Sequence, residues 1–142
     1  MNLLFVCTGN ICRSPMAVAI ARNEISEAGY ADIEVASAGT FAVHGSTATL
    51  DAVIVAEEHG LSLAEHRARQ LTPELLAATD LVVGMRREHA EDARRLGAQR
   101  AITLSSPIGD PYGRGVAAYR ETWMLLSSLI PALLRTSRDP IE

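Results

Sequence analysis

Cys7 and Arg13 stand with five residues between them in Val6-Cys7-Thr8-Gly9-Asn10-Ile11-Cys12-Arg13-Ser14-Pro15-Met16-Ala17. A thiolate is a strong nucleophile, and a guanidinium offers a planar fork that matches two oxygens of a phosphoryl group. Further along, Asp110 heads Asp110-Pro111-Tyr112-Gly113. Cleaving a phosphate ester needs an acid to protonate the leaving oxygen, worth typically 10² to 10⁴ in rate. Taken alone, Cys7 reads as a buried strand-end cysteine, Arg13 as a surface arginine and Asp-Pro as an ordinary turn start. Together Cys7 and Arg13 describe a nucleophile and an anion clamp, and a carboxyl group such as Asp110 is the type of residue that could supply the proton. The chemistry predicted is thiolate attack on a tetrahedral oxyanion.

The elements around the first stretch suit that role. Asn2–Val6 reads as a buried strand, and Ser14 to about Ala28 as a helix with Met16, Ala17, Ile20, Ala21 and Ile25 at helical spacing. Ser14 is expected as the N-cap, with Pro15 at the first helical position and Gly29 as the stop. A loop that feeds a helix N-terminus is a ready anion site, because backbone N–H groups and the helix dipole point into it. Gly9 and Asn10 tolerate left-handed backbone angles, which lets successive N–H groups turn inward as a nest. The Ser14 hydroxyl has one donor and two acceptor positions, so it can cap and still donate to Cys7.

The rest of the chain alternates strand and helix. Strands are predicted at Ile33–Ser37, Asp80–Met85 and Ala101–Leu104. Helices are predicted at roughly Thr49–His59, from Thr72-Pro73-Glu74, over Arg86–Leu96 and over Val116–Arg135. Pro131 is expected to kink or restart the last helix, and Thr136–Glu142 to fray. Four βα units predict a single α/β domain over residues 1–142, a three-layer, Rossmann-like sandwich. Its four-stranded parallel sheet has helices on both faces. Ligands in such sheets bind beyond the carboxyl ends of the strands, where the Cys7 loop lies.

Composition narrows the classes. The chain has 142 residues and a formal net charge of −4, which argues against a nucleic-acid surface. No apolar run approaches the roughly 18 residues of a membrane span, and no basic, apolar, small-residue leader opens the chain. The expected compartment is the cytoplasm. Two cysteines make no disulfide framework, and no cysteine or histidine pair has zinc-site spacing.

The Val6–Ala17 stretch resembles the signature of the low-molecular-weight protein-tyrosine phosphatase family. Ser37-Ala38-Gly39-Thr40, the stretch from His66 to Leu71, Asp80-Leu81-Val82-Val83 and Asp110-Pro111 follow in that family's order. The resemblance implies a phosphocysteine intermediate on Cys7, two phosphate oxygens on Arg13, and Asp110 as general acid and then base. It implies no metal or cofactor, and a phosphorylated protein as substrate. Ser14 would donate to Cys7, and His66 would support the loop through Asn10. Cys12 would pair with Cys7 under peroxide, sparing the nucleophile from irreversible oxidation. Thr8 and Ile11 would form the loop's rim, with Phe41 and Tyr112 as walls for a flat substrate group.

Bacterial members of that family divide into tyrosine-directed enzymes and a phosphoarginine branch. The branch typically has threonine where this chain has Ile11, which favours phosphotyrosine; Phe41 and Gly113 look closer to the arginine branch. Ile11 carries more weight because its loop touches the phosphoryl group. Arsenate reductase of the same fold needs later cysteines, and none follows Cys12. A cysteine phosphocarrier needs Cys7 but not the Arg13–Asp110 pair. A silent phosphate-binding module would not need all three.

Overall fold

A computed structural model describes residues 1–138. Four parallel strands, β1 (Asn2–Cys7), β2 (Glu34–Gly39), β3 (Leu81–Gly84) and β4 (Ala101–Thr103), form one sheet in the order β2-β1-β3-β4. The chain crosses from β1 to β2 on one side and later returns to β3 on the other. The reversal point therefore lies at the carboxyl end of β1, where a crevice opens in sheets of this kind.

Side chains alternate across the strands and so build two cores. Leu3, Phe5, Cys7, Val35, Leu81 and Val83 face α1 (Arg13–Ala28), α2 (Leu50–Glu58) and α5 (Val116–Arg138). Leu4, Val6, Ala38 and Val82 face the other way, with Leu76 of α3 (Pro73–Ala77) and Ala90 and Ala93 of α4 (Arg87–Arg95). The predicted three-layer sandwich is the observed one. The buried stripe of α5 is Tyr119, Trp123, Leu126, Ile130 and Leu134, one face at helical spacing.

Capping follows local chemistry at several ends. Thr49 Oγ1 accepts from Ala52 N–H, and Thr72 Oγ1 accepts from Leu75 N–H with Pro73 in the first turn. Gly29 ends α1 at φ 74°, a left-handed angle that carries no Cβ penalty in glycine.

Three expectations are corrected. The helix begins at Arg13, with Cys12 as a cap that makes no side-chain bond, so Ser14 lies inside the first turn and is not the N-cap. β2 runs on to Gly39, because pairing with β1 through Cys7↔Gly39 continues the ladder. α5 passes through Pro131 to Arg138, so Pro131 does not restart it and Thr136–Arg138 are helical. Buried Ile130 and Leu134 on either side hold that turn in the core that α5 shares with α1 and α2, offsetting the hydrogen bond that proline removes. The remainder of the expected frayed tail, 139–142, lies outside the described residues.

Candidate active site

The loop after β1 is fixed from several directions. Asn10 is the one described non-glycine residue with positive φ, at 57°, and it is fully buried. That angle costs an ordinary side chain, and asparagine bears it because its short amide bonds locally. Asn10 Nδ2 donates to Ser14 Oγ at 2.8 Å and Ser37 Oγ at 2.9 Å, while Oδ1 accepts from Arg69 N–H at 3.0 Å. Gly9 does not adopt a left-handed angle, contrary to the sequence expectation; the turn is carried by Asn10 alone. His66 Nε2 lies 2.6 Å from the Asn10 carbonyl oxygen, which can only accept, so this nitrogen bears the proton. Burial, opposed by this bond, holds His66 below the usual histidine pKa.

Neighbouring elements grip the same loop. Thr49 N–H donates to the Ile11 carbonyl at 2.8 Å, and the Thr49 hydroxyl donates to Tyr119 Oη at 3.1 Å. Phe41 N–H donates to the Thr8 carbonyl at 2.9 Å. Gly39 is required by close approach: a Cβ there would stand 2.4 Å from Thr8 O and 3.0 Å from Asn10 N. Among the described residues, no backbone N–H of Gly9, Asn10, Ile11 or Cys12 is donated to another protein group. Four free donors thus meet at the N-terminus of α1, the arrangement that attracts an anion.

Cys7 Sγ is buried and 2.9 Å from Ser14 Oγ. The Ser14 oxygen already accepts from Asn10, so its own hydrogen is free for the sulfur. Ser14 therefore serves the sulfur from within the helix.

Arg13 is buried beside the loop. Its Nη1 donates to the Ile108 carbonyl at 3.0 Å and its Nη2 approaches Thr8 Oγ1 at 3.4 Å. Nη2 also lies 3.7 Å from Asp110 Oδ2. Among the described residues, Arg13 Nε is a buried side-chain nitrogen with no partner. Leaving such a donor unpaired costs about 1–3 kcal/mol unless something else accepts from it. A phosphoryl oxygen would.

Asp110 reaches the loop from the segment after β4. Its Oδ1 accepts from Tyr112 N–H at 3.0 Å and from the Cys12 thiol at 3.6 Å. The carboxyl side chain is half exposed, so it faces both the loop and water. Burial, then charge at Cys7 and Asp110, pushes the Cys12 thiol up to about 12. Cys12 is thus a thiol donor at neutral pH. Both cysteines are free.

The residues expected at the rim and walls differ in exposure. Thr8 is exposed, Ile11 is partly buried, and Phe41 and Tyr112 are 82% and 62% exposed. Two bare aromatic rings thus stand beside the loop and beside Asp110. One member of the site was missed: His89, whose Nε2 is 3.0 Å from Thr8 Oγ1. A single histidine on the polar α4 carries no local signal, and its contact depends on the pairing of β1 with β3. A separate cavity of about 460 Å³ lies behind the loop, lined by His66, Arg22, Arg67 and Arg69 among others, and does not include Cys7 or Asp110.

The family model described as low molecular weight phosphotyrosine protein phosphatase matches residues 2–139. Low molecular weight protein-tyrosine phosphatase A of Mycobacterium tuberculosis is 37% identical, covering 94% of this chain and 89% of that protein. The protein-arginine-phosphatase of Geobacillus stearothermophilus is 36% identical, covering 93% of each. A solved structure of the arginine phosphatase YwlE, a cysteine-to-serine mutant with a phosphorylated active-site serine, superposes with a TM-score of 0.91 at 33% identity. That superposition covers 98% of this chain and 97% of the other. With motif, fold and near full-length similarity in accord, the chain belongs to the low molecular weight phosphotyrosine protein phosphatase family.

Proposed function

We propose that the chain, acting as one domain over residues 1–142, hydrolyses phosphotyrosine on proteins through a phosphocysteine intermediate. Cys7 Sγ attacks phosphorus while the bond to the tyrosine oxygen breaks. Asp110 gives its proton to that oxygen, so the leaving group departs as a neutral phenol. Arg13 and the free N–H groups of Gly9–Cys12 hold the phosphoryl oxygens throughout. Water then attacks phosphorus, Asp110 takes up its proton, and the S–P bond breaks. The thiolate returns to Cys7, held by Ser14, and inorganic phosphate leaves. Electrostatic stabilisation of this kind needs donors fixed before the substrate arrives. His66 and Asn10 supply that fixing. Cytoplasmic residence fits a protein in whose described residues no helix is long and apolar enough to cross a membrane.

The observation that carries the reading is the meeting of the Asp110 carboxylate and the Arg13 guanidinium, 3.7 Å apart, at the mouth of the Cys7 loop. Exposed Phe41 and Tyr112 favour a flat aromatic ester, and Ile11 keeps the loop's rim apolar. A second reading, phosphoarginine hydrolysis at the same site, is favoured by Gly113, which takes φ 75° after Tyr112 and leaves that wall without a further aromatic. Rates measured side by side on phosphotyrosine and phosphoarginine peptides decide between them. The tyrosine reading expects the first to exceed the second, with Ile11→Thr narrowing the gap. The reverse order in the wild type assigns the chain to the arginine reaction.

A further inference from the structure

His89 occupies the third position of α4 and is 2% exposed. Its Nδ1 accepts the Arg86 backbone N–H at 3.1 Å. An amide N–H can only donate, so Nδ1 carries no hydrogen. A neutral ring must then bear its hydrogen on Nε2, which donates to Thr8 Oγ1 at 3.0 Å. The guanidinium of Arg13, also a donor only, approaches the same oxygen at 3.4 Å. These two donors fill both acceptor positions of the Thr8 hydroxyl. The hydroxyl's own hydrogen is therefore turned away from both. Thr8 is exposed, and the Nη2 it touches is the one that faces Asp110.

Resting on the phosphatase reading above, we infer that His89 is a positioning residue. It aims the Thr8 hydroxyl outward as a hydrogen-bond donor, beside Arg13 Nη2, to an oxygen of the bound phosphoester. The contact spans the reversal point of the sheet: Thr8 follows β1, and His89 follows β3. Helix capping alone accounts for Nδ1 but leaves the Nε2 bond unexplained. Burial, then the charge of Arg13 with a smaller push from Arg86, outweighs Glu88 and Asp92 and keeps the ring neutral. The tautomer therefore persists at neutral pH.

Two substitutions separate positioning from capping. Glutamine and glutamate both accept the cap N–H at a third helical position. Only glutamine can also donate to Thr8. On a phosphotyrosine peptide, His89→Gln is expected to stay within about threefold of wild-type kcat/KM, and His89→Glu to fall about tenfold, the worth of one hydrogen bond. Thr8→Val is expected to lose about tenfold itself and to erase the difference between the two His89 variants. A difference that survives in Thr8→Val would be the effect of the added charge on Arg13 and would overturn the proposal. Equal activity of His89→Gln and His89→Glu would do the same. The tautomer is read independently of turnover by ¹⁵N NMR of the His89 ring, with hydrogen on Nε2 expected and hydrogen on Nδ1 fatal. A wild type that hydrolyses no phosphoester yet shows the Nε2 tautomer refutes the phosphatase reading, and with it the substrate-facing role, while leaving the Thr8 contact intact.

Discussion

Arg13 and Asp110, far apart in the sequence, meet with 3.7 Å between Nη2 and Oδ2. The carboxylate has two further partners, Tyr112 N–H and the Cys12 thiol, and both bind Oδ1. Oδ2 is the oxygen that lies towards Arg13. In the proposed mechanism the anchored Oδ1 holds the carboxyl group in place, and Oδ2 carries the proton for the leaving group.

Asp110→Ala is expected to lose roughly 10² to 10⁴ in kcat on a phosphotyrosine peptide, whose phenol is a poor leaving group. The loss should shrink on an activated ester such as p-nitrophenyl phosphate, whose anion leaves without help. Steady-state rates on both substrates check this. Equal losses would remove Asp110 from the acid role.

Cys7→Ser should abolish turnover while retaining inorganic phosphate binding, measured by calorimetry. Cys12→Ala should leave most activity, because a thiol pushed up to about 12 is a weak nucleophile at neutral pH. The two differ under peroxide. A sulfenic acid on Cys7 can condense with the Cys12 thiol, releasing water and forming a disulfide. Dithiothreitol should then restore the oxidised wild type and not oxidised Cys12→Ala. Full recovery of the variant would deny Cys12 a protective role.

Gly39→Ala should damage both loop and stability. Its Cβ would lie 2.4 Å from the Thr8 carbonyl, and a backbone atom cannot swing aside as a side-chain end can. Overpacking of this type costs about 1–3 kcal/mol, and displacing Thr8 should also lower kcat/KM. Gly109→Ala is the control for stability, since a Cβ there meets nothing within 4 Å. Denaturant melts of the two variants should differ in midpoint. Equal midpoints would show that the strand end moves freely.

His89 predicts a pH dependence of stability. Its pKa is lowered to about 4 by burial and the Arg13 charge, against an ordinary 6.5. In the unfolded chain the ring takes up a proton as pH falls through 6.5, whereas in the folded protein it resists until about 4. Stability is therefore fully present above pH 6.5 and drains between 6.5 and 4, by about 3 kcal/mol for this group. Comparing wild type with His89→Gln from pH 8 to 4 isolates the contribution. Parallel curves would mean that the folded ring titrates normally.

Much of the site is legible in one dimension because Cys7, Asn10, Arg13 and Ser14 belong to a single turn. Local chemistry dictates a turn, and the helix start dictates where it points. The element boundaries at Thr49, Thr72 and Gly29 are legible for the same reason: capping is a contact over a few residues. Ser14 shows the limit. Its type suggests an N-cap, but two partners from the loop itself, Cys7 and Asn10, claim its hydroxyl. His89 and the close approach of Gly39 to Thr8 are illegible because each depends on strands pairing side by side. Pro131 reads as an interruption, yet packing of Ile130 and Leu134 outweighs the lost bond.

Synthesis runs from the amino end, so the nucleophile emerges long before most of its supports. Ser37, His66, Arg69, His89, Ile108 and Asp110 all follow the loop they hold. A chain still growing on the ribosome has its reactive sulfur but lacks the rest of the pocket. The loop's supports are complete only once the segment that carries Asp110 has been made.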